Sequence, residues 1–342
     1  MLIRTLTLAL AAAMAIATTG CGTDSTPQPL ATYVSRSSSN PDTTPQLFTL
    51  NVATKKSTAI SIPIPAQAIY ISSNSTATAV TYCYDGDNGY DIFYMGMDGK
   101  ELELTTGADA CESVFSPDGK TIAYVSGVSE VALGIYTMNV DGSNQTALYL
   151  PAADTADAFF PEFSPDGKSL VFYLAVNEGP SKQTRRHGNA RTASWPQLQN
   201  RHFKTQPRGF ARSQAAPTQD GWYTMALTDT APTFVYETTE WWGPAVFSGD
   251  GTKLLFTQYD GTEDNIFSVN LDGTGITQLT TSTTTYSFSP VGFGKSILFD
   301  QWDSTNSSWD IYLMDETGAN QTLINSTAST YETLLDSYWS ND

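Results

Sequence analysis

The sequence predicts an all-β chain folded as a β-propeller, a ring of radially stacked four-stranded sheets. Three observations carry that expectation. A strand of one pattern recurs as LFTLNV (47–52), IFYMGM (92–97), IYTMNV (135–140), WYTMAL (222–227), IFSVNL (266–271) and IYLMDE (311–316). The starts are 45, 43, 87, 44 and 45 residues apart, so a period of about 44 is kept with one interval doubled. The phrase FSPDGK stands at both 115–120 and 163–168, with diluted copies FSGDG (247–251) and FSPVG (288–292). The composition agrees: 40% hydrophobic and 12% aromatic residues supply a core, and no heptad pattern argues for long helices.

The N-terminus is not part of the ring. Arg4 precedes an apolar run, Leu6 to Ala17, too short to span a bilayer comfortably, and small residues lead into Cys21. Residues 1–20 read as a signal peptide, and the run ending in cysteine resembles the lipobox of bacterial lipoproteins, which implies lipidation at Cys21. Residues 21–30, rich in Thr and Pro, read as a tether, and the propeller occupies 31–342. Cys83 and Cys111 remain: an oxidising envelope permits a disulfide between them, and two buried thiols in neighbouring strands are the alternative.

Each repeat reads as four strands. FSPDG ends the first and turns into an apolar second strand, as in TIAYVS, SLVFYLAV, KLLFTQ and SILFDQ. A variable loop leads to the IYTMNV-type third strand, and an Asp-Gly turn leads to a Thr-rich fourth. The second strands are nearly continuous in apolar residues, which demands burial on both faces, as in blades packed between neighbours. Pro117 presets φ, Asp118 bonds the local backbone and Gly119 supplies a positive φ, so the phrase is a turn. A phosphate loop would need a glycine five positions before Gly-Lys and a helix after it; positions 114 and 162 are Val and Glu, and strand residues follow.

ATYVSR (31–36) and LFTLNV supply second and third strands with no first strand before them. LLDSYWSND at the other end matches the approach to FSPDG, so the C-terminal strand is expected to complete the first blade. The period gives seven slots, with the copy due near residue 178 missing and the disruption at about 180–219. That segment carries eight Lys and Arg and both histidines, His187 and His202, without one Asp or Glu from 181 to 215. Removing its eight charges from the chain's −18 leaves −26 on the rest. A docking loop, a plain insertion and a pair of compensating frameshifts all fit, the last because length stays in register. The ring then has seven slots with one damaged joint; alternatively SLVFYLAV pairs with WYTMAL in a hybrid blade, giving six blades and a long inserted loop.

The F-S-P-D-G turn and the I-Y-x-M-N-x-D-G strand resemble those of the TolB-like propellers built from WD40-like (PD40) repeats, over about residues 31–342 apart from the basic segment. The resemblance implies a propeller in a cell-envelope setting, acting as a protein-binding or scaffold module rather than an enzyme. TolB itself carries a separate N-terminal domain for which this chain has no room, so its particular partner does not carry over.

The chemistry expected is correspondingly sparse. The absence of histidine outside the basic segment removes a Ser-His-Asp triad and a His-ligated metal from the body. Arg36 is the one mature arginine outside that segment, too few for a sialidase-type carboxylate clamp. The net charge of −18 argues against nucleic acid. Carboxylates gather in loops between second and third strands, all on one face: Asp85, Asp87, Asn88 and Asp91 form a candidate calcium loop, and Asp260, Glu263 and Asp264 a candidate partner surface, with Asp303 and Asp310 further on. Solvated turns, with Asp91 and Asp310 fixing the start of the next strand, are the plainer reading. Phe159, Phe160, Trp241 and Trp242 fall on that face too, as core packing or, if exposed, as a protein-binding hot spot. The expected function is a non-enzymatic lipoprotein of periplasm or cell surface, membrane-held at Cys21, that engages an envelope or periplasmic protein with no obligatory cofactor. The alternative is a carbohydrate-binding or carboxylate-based polysaccharide-processing propeller.

Overall fold

The structure is a computed structural model that describes residues 29–37, 44–86, 89–127, 132–152, 155–176, 219–238, 244–282, 284–303, 308–326 and 330–339. Every regular element among them is a strand. The strands β1 (Pro29–Ser37), β2 (Gln46–Asn51) and β3 (Lys56–Ile60) belong to blade 1. Blade 2 is β4 (Ile69–Ser73), β5 (Ala79–Gly86), β6 (Gly89–Gly96) and β7 (Glu101–Glu103). Blade 3 is β8 (Ala110–Phe115), β9 (Thr121–Gly127), β10 (Leu133–Asn139) and β11 (Thr146–Tyr149). Blade 4 is β12 (Ala156–Phe163), β13 (Ser169–Val176), β14 (Gly221–Ala226) and β15 (Thr233–Tyr236). Blade 5 is β16 (Val246–Phe247), β17 (Lys253–Tyr259), β18 (Asp264–Asn270) and β19 (Thr277–Gln278). Blade 6 is β20 (Ser287–Phe293), β21 (Ser296–Asp303), β22 (Ser308–Asp315) and β23 (Thr322–Asn325), and the closing strand β24 (Thr330–Trp339) returns to blade 1.

The ring therefore has six sheets, not seven. β13 pairs with β14 in an unbroken register from Ser169↔Ala226 to Leu174↔Gly221, so the strands flanking the basic segment make one hybrid blade. Each could bury its apolar faces only beside the other, which is why the doubled interval closes into a single sheet. The segment 180–219 becomes the connection between those strands and, Gln219 apart, lies outside the described residues, as do residues 1–28.

Closure follows the expected route. β24 pairs antiparallel with β1 from Pro29↔Trp339 to Ser37↔Thr330, supplying the innermost strand that the chain's start lacks. The first strands β4, β8, β12, β16, β20 and β24 each touch the next around the axis, and β24 touches β4, so the inner strands complete the ring.

The core lies at the seams. Six apolar clusters are each built from two adjacent blades: Ile92 and Leu104 with Tyr124 and Met138 between blades 2 and 3, Val125 and Tyr149 with Phe172 between 3 and 4, and so around the ring. Phe172, Phe256 and Phe299, on second strands, are fully buried. Such a side chain contributes about 2–3 kcal/mol by leaving water, and a truncation there costs more through the cavity left behind.

The turn reading of FSPDG holds. In blade 3 the Ser116 hydroxyl donates to Asp118 at 2.7 Å, the Lys120 N–H donates to the same carboxylate at 3.1 Å, and Gly119 has φ +67°. Blades 4 and 5 repeat the set at Ser164–Asp166 and Ser248–Asp250. FSPVG is a different object: Phe288–Gly292 lies inside β20, and the turn falls one step later at Gly294–Lys295. Its turn-like letters occupy a β-bulge, where Ser289 takes φ +49°.

Candidate functional site

Two places bring polar groups together: the inner strands at the ring's axis, and the face formed by the loops between second and third strands. At the axis, β4, β8, β12 and β20 each carry a register shift at the same height. Tyr70, Glu112, Phe160 and Ser289 sit at those shifts with φ of +49°, +51°, +54° and +49°. A left-handed non-glycine residue costs about 1–2 kcal/mol, so four in register mark a bend that the closed ring imposes.

A bulge frees a backbone N–H, and one of these is met from the neighbouring blade: the Phe160 N–H donates to the Glu112 carboxylate at 2.6 Å. Glu112 is itself buried, and burial pushes its pKa up to about 8, with the Phe160 bond pulling the other way. Tyr70 packs against the blade 2–3 seam and also against the blade 4–5 seam, so its ring crosses the axis. Burial first, then the Glu112 charge, raises the Tyr70 hydroxyl's pKa. Tyr70 and Phe160 thus flank Glu112 at the inner strands. Nothing in the sequence singled out Glu112, because the signal is a backbone shift that no side-chain pattern encodes.

On the loop face, the expected ligands and contact residues are largely turned to structural use. Asp91 is buried and accepts from the Thr105 hydroxyl at 3.0 Å and the Gly107 N–H at 2.8 Å, while Thr105 Oγ1 accepts the Ile92 N–H. Burial raises the Asp91 pKa and these bonds oppose the rise. Blade 5 repeats the latch with Asn265, Thr280 and the Ile266 N–H. Asp91 is therefore a strand latch, its oxygens facing the loop after β7. The Asp85 side chain, Asp87 and Asn88 lie outside the described residues, and among those described no three His, Cys, Asp or Glu side chains converge on a metal position.

Asp260 accepts from the Thr262 and Glu263 N–H groups at 2.8 and 3.1 Å and from the Asn265 and Gln278 amides at 2.9 and 2.7 Å. Those bonds, the Glu263 N–H foremost, hold its carboxyl below the usual carboxylate range. Glu263 and Asp264 flank it, half-buried, at the start of β18. Asp310 is buried and accepts from Ser308, and the Asp303 side chain lies outside the described residues.

Phe160 is buried in the blade 4–5 cluster, and half-buried Phe159 packs on it with ring centroids 6.2 Å apart. Trp241 and Trp242 lie outside the described residues. Cys83 of β5 and Cys111 of β8 are disulfide-bonded with Cα atoms 5.4 Å apart, which ties blade 2 to blade 3 directly beside Glu112.

The fold is similar to that of TolB propellers. TolB from Acinetobacter baumannii superposes with a TM-score of 0.57 at 14% identity, over 90% of this chain and 67% of that one. A putative TolB from Agrobacterium tumefaciens gives 0.56 at 14% identity, over 90% and 98%. An oligogalacturonate lyase from Vibrio parahaemolyticus gives 0.50 at 11% identity, over 86% and 73%. No protein-family profile matches the chain, and no curated protein matches it.

Proposed function

We propose that the protein is a non-enzymatic, lipid-anchored propeller of the bacterial cell envelope, carried by Cys21 in the periplasm or at the cell surface, and that it binds a protein through its second-to-third loop face. The likeness to TolB propellers supports the class, and the apolar run ending at Cys21 supports the anchor. The observation that carries the binding role is the state of the loop carboxylates. Exposed Asp260 spends its oxygens on four donors of its own blade, with Glu263 and Asp264 beside it, while Asp91 is buried in its latch and adds nothing to the surface. Carboxylates held this way make a stiff acidic surface, which favours a basic patch on a partner through complementarity and rate of encounter. They are poor general acids or bases, which need a proton position open to substrate.

The test is capture from detergent-solubilised envelopes with the wild-type chain and a Glu263→Lys, Thr262→Lys pair, which reverses charge on the loop without touching Asp260. A protein retained by the first and lost by the second is the expected result. Turnover of oligogalacturonate by the purified chain, with no such protein retained, would overturn the reading in favour of polysaccharide processing.

A further inference from the structure

We propose that the seam between blades 5 and 6 is a binding site for water: a small cavity at the turn face that holds one or two ordered water molecules through the buried hydroxyl of Ser268. The site lies away from the loop face and does not rest on the binding role proposed above.

The sequence builds this seam differently from its neighbours. Gly249 stands where Pro117 and Pro165 stand in the turns of blades 3 and 4. The turn of blade 6 falls late, at Gly294–Lys295, and its backbone comes against that of blade 5. A Cβ on Gly249 would lie 2.4 Å from the Gly294 nitrogen, and one on Gly292 would lie 2.5 Å from the Phe247 oxygen. The two backbones therefore meet with no side chain between them. Ser268 is the third departure: the same position of the third strand holds Thr49, Thr137 and Thr224 in blades 1, 3 and 4. Those threonines are half-buried, whereas Ser268 is 1% exposed.

Ser268 points into the seam. It lies two residues after Ile266 in β18 and opposite Leu255 in β17, and both of these belong to the apolar cluster that Ile297 of blade 6 completes. A cavity of about 30 Å³ lies there, walled by Leu255 and Ile297, with Gly249, Gly294 and the residues Ser268 and Ser296 around it. Among the described residues the Ser268 hydroxyl has no hydrogen-bond partner. A buried hydroxyl left unpaired is costly, and a water that both donates and accepts removes the cost. At about 10–15 Å³ for each water, the space takes one or two. Ser296 and the glycine backbones supply the further polar partners that such a water needs. Charge favours a neutral ligand. The lining carries Lys253 as well as Asp250 and Glu316, and Asp250 already accepts from Ser248 and Thr252 within its own turn.

Two measurements on the full chain test the site. In a crystal structure that shows ordered solvent, one or two density peaks are expected in the seam, one of them about 2.7–3.0 Å from the Ser268 hydroxyl oxygen. An empty seam, or a protein group bonded to that hydroxyl, overturns the proposal. So does a peak held by several oxygens at about 2.3–2.6 Å, which would be a metal ion. In solution, NMR cross-relaxation from long-lived water to the Leu255 and Ile297 methyl groups is expected in the wild-type chain. Ser268→Val removes the hydroxyl and fills the space, and the signal is expected to be lost. Absence of the signal from wild type, or its persistence unchanged in Ser268→Val, overturns the assignment to this cavity.

Discussion

Glu112 gives a direct test of how the ring's axis is held. Its carboxyl lies between the inner strands of blades 3 and 4, and burial lifts its pKa from 4.5 to about 8 against the opposing pull of the Phe160 N–H. Between those two values the folded chain keeps a proton that the unfolded chain has released. Stability is therefore greatest below the unfolded value and is lost as pH rises through the folded one. At about 1.4 kcal/mol per pKa unit, a shift of this size corresponds to roughly 4–5 kcal/mol as an upper bound. Glu112→Gln cannot ionise, yet its amide oxygen still accepts the Phe160 N–H, so the variant is expected to match wild type near pH 5 and exceed it at pH 8. Urea unfolding followed by tryptophan fluorescence at pH 5, 6, 7 and 8 reads the difference. Asp91→Asn serves as the comparison, because burial raises that carboxyl too. The turn aspartates Asp118, Asp166 and Asp250 have lowered pKa values and titrate below this window. Parallel pH profiles for wild type and Glu112→Gln would refute the account.

Other consequences follow from the seams and turns. Reducing Cys83–Cys111, or replacing both with Ser, reopens a loop of 28 residues. By loop-closure entropy the loss is roughly 3.5 kcal/mol, seen as a lower urea midpoint without reductant sensitivity in the double variant. Gly249→Ala drives a methyl into the Gly294 backbone and is expected to cost about 1–3 kcal/mol. Gly119→Ala, whose new methyl meets nothing but whose φ is +67°, costs only the left-handed penalty of about 1 kcal/mol; thermal melts of the two rank them. Asp85→Ala with Asp87→Ala is expected to leave the melting temperature insensitive to added calcium, as in wild type. A calcium-dependent rise in wild type that the double variant loses would instead establish the metal reading for that loop.

The sequence by itself determined the blade. Its 44-residue period, its FSPDG turns and its doubly apolar second strands are local, and each strand's burial is written in its own letters. Closure was legible as well, because LLDSYWSND and ATYVSR each lacked the partner the other supplies. Only the tertiary structure decided the number of blades, since spacing cannot say whether SLVFYLAV and WYTMAL belong to one sheet or two until their edges compete for a partner. It also decided what the site residues do. For Asp91 and Phe160 the sequence left two roles open, and the bend at the inner strands turns the Phe160 ring into a seam while the latch on Thr105 takes the Asp91 oxygens. Glu112 had no signal at all: its role depends on a backbone N–H exposed by a bulge 48 residues away, a relation created when the ring closes.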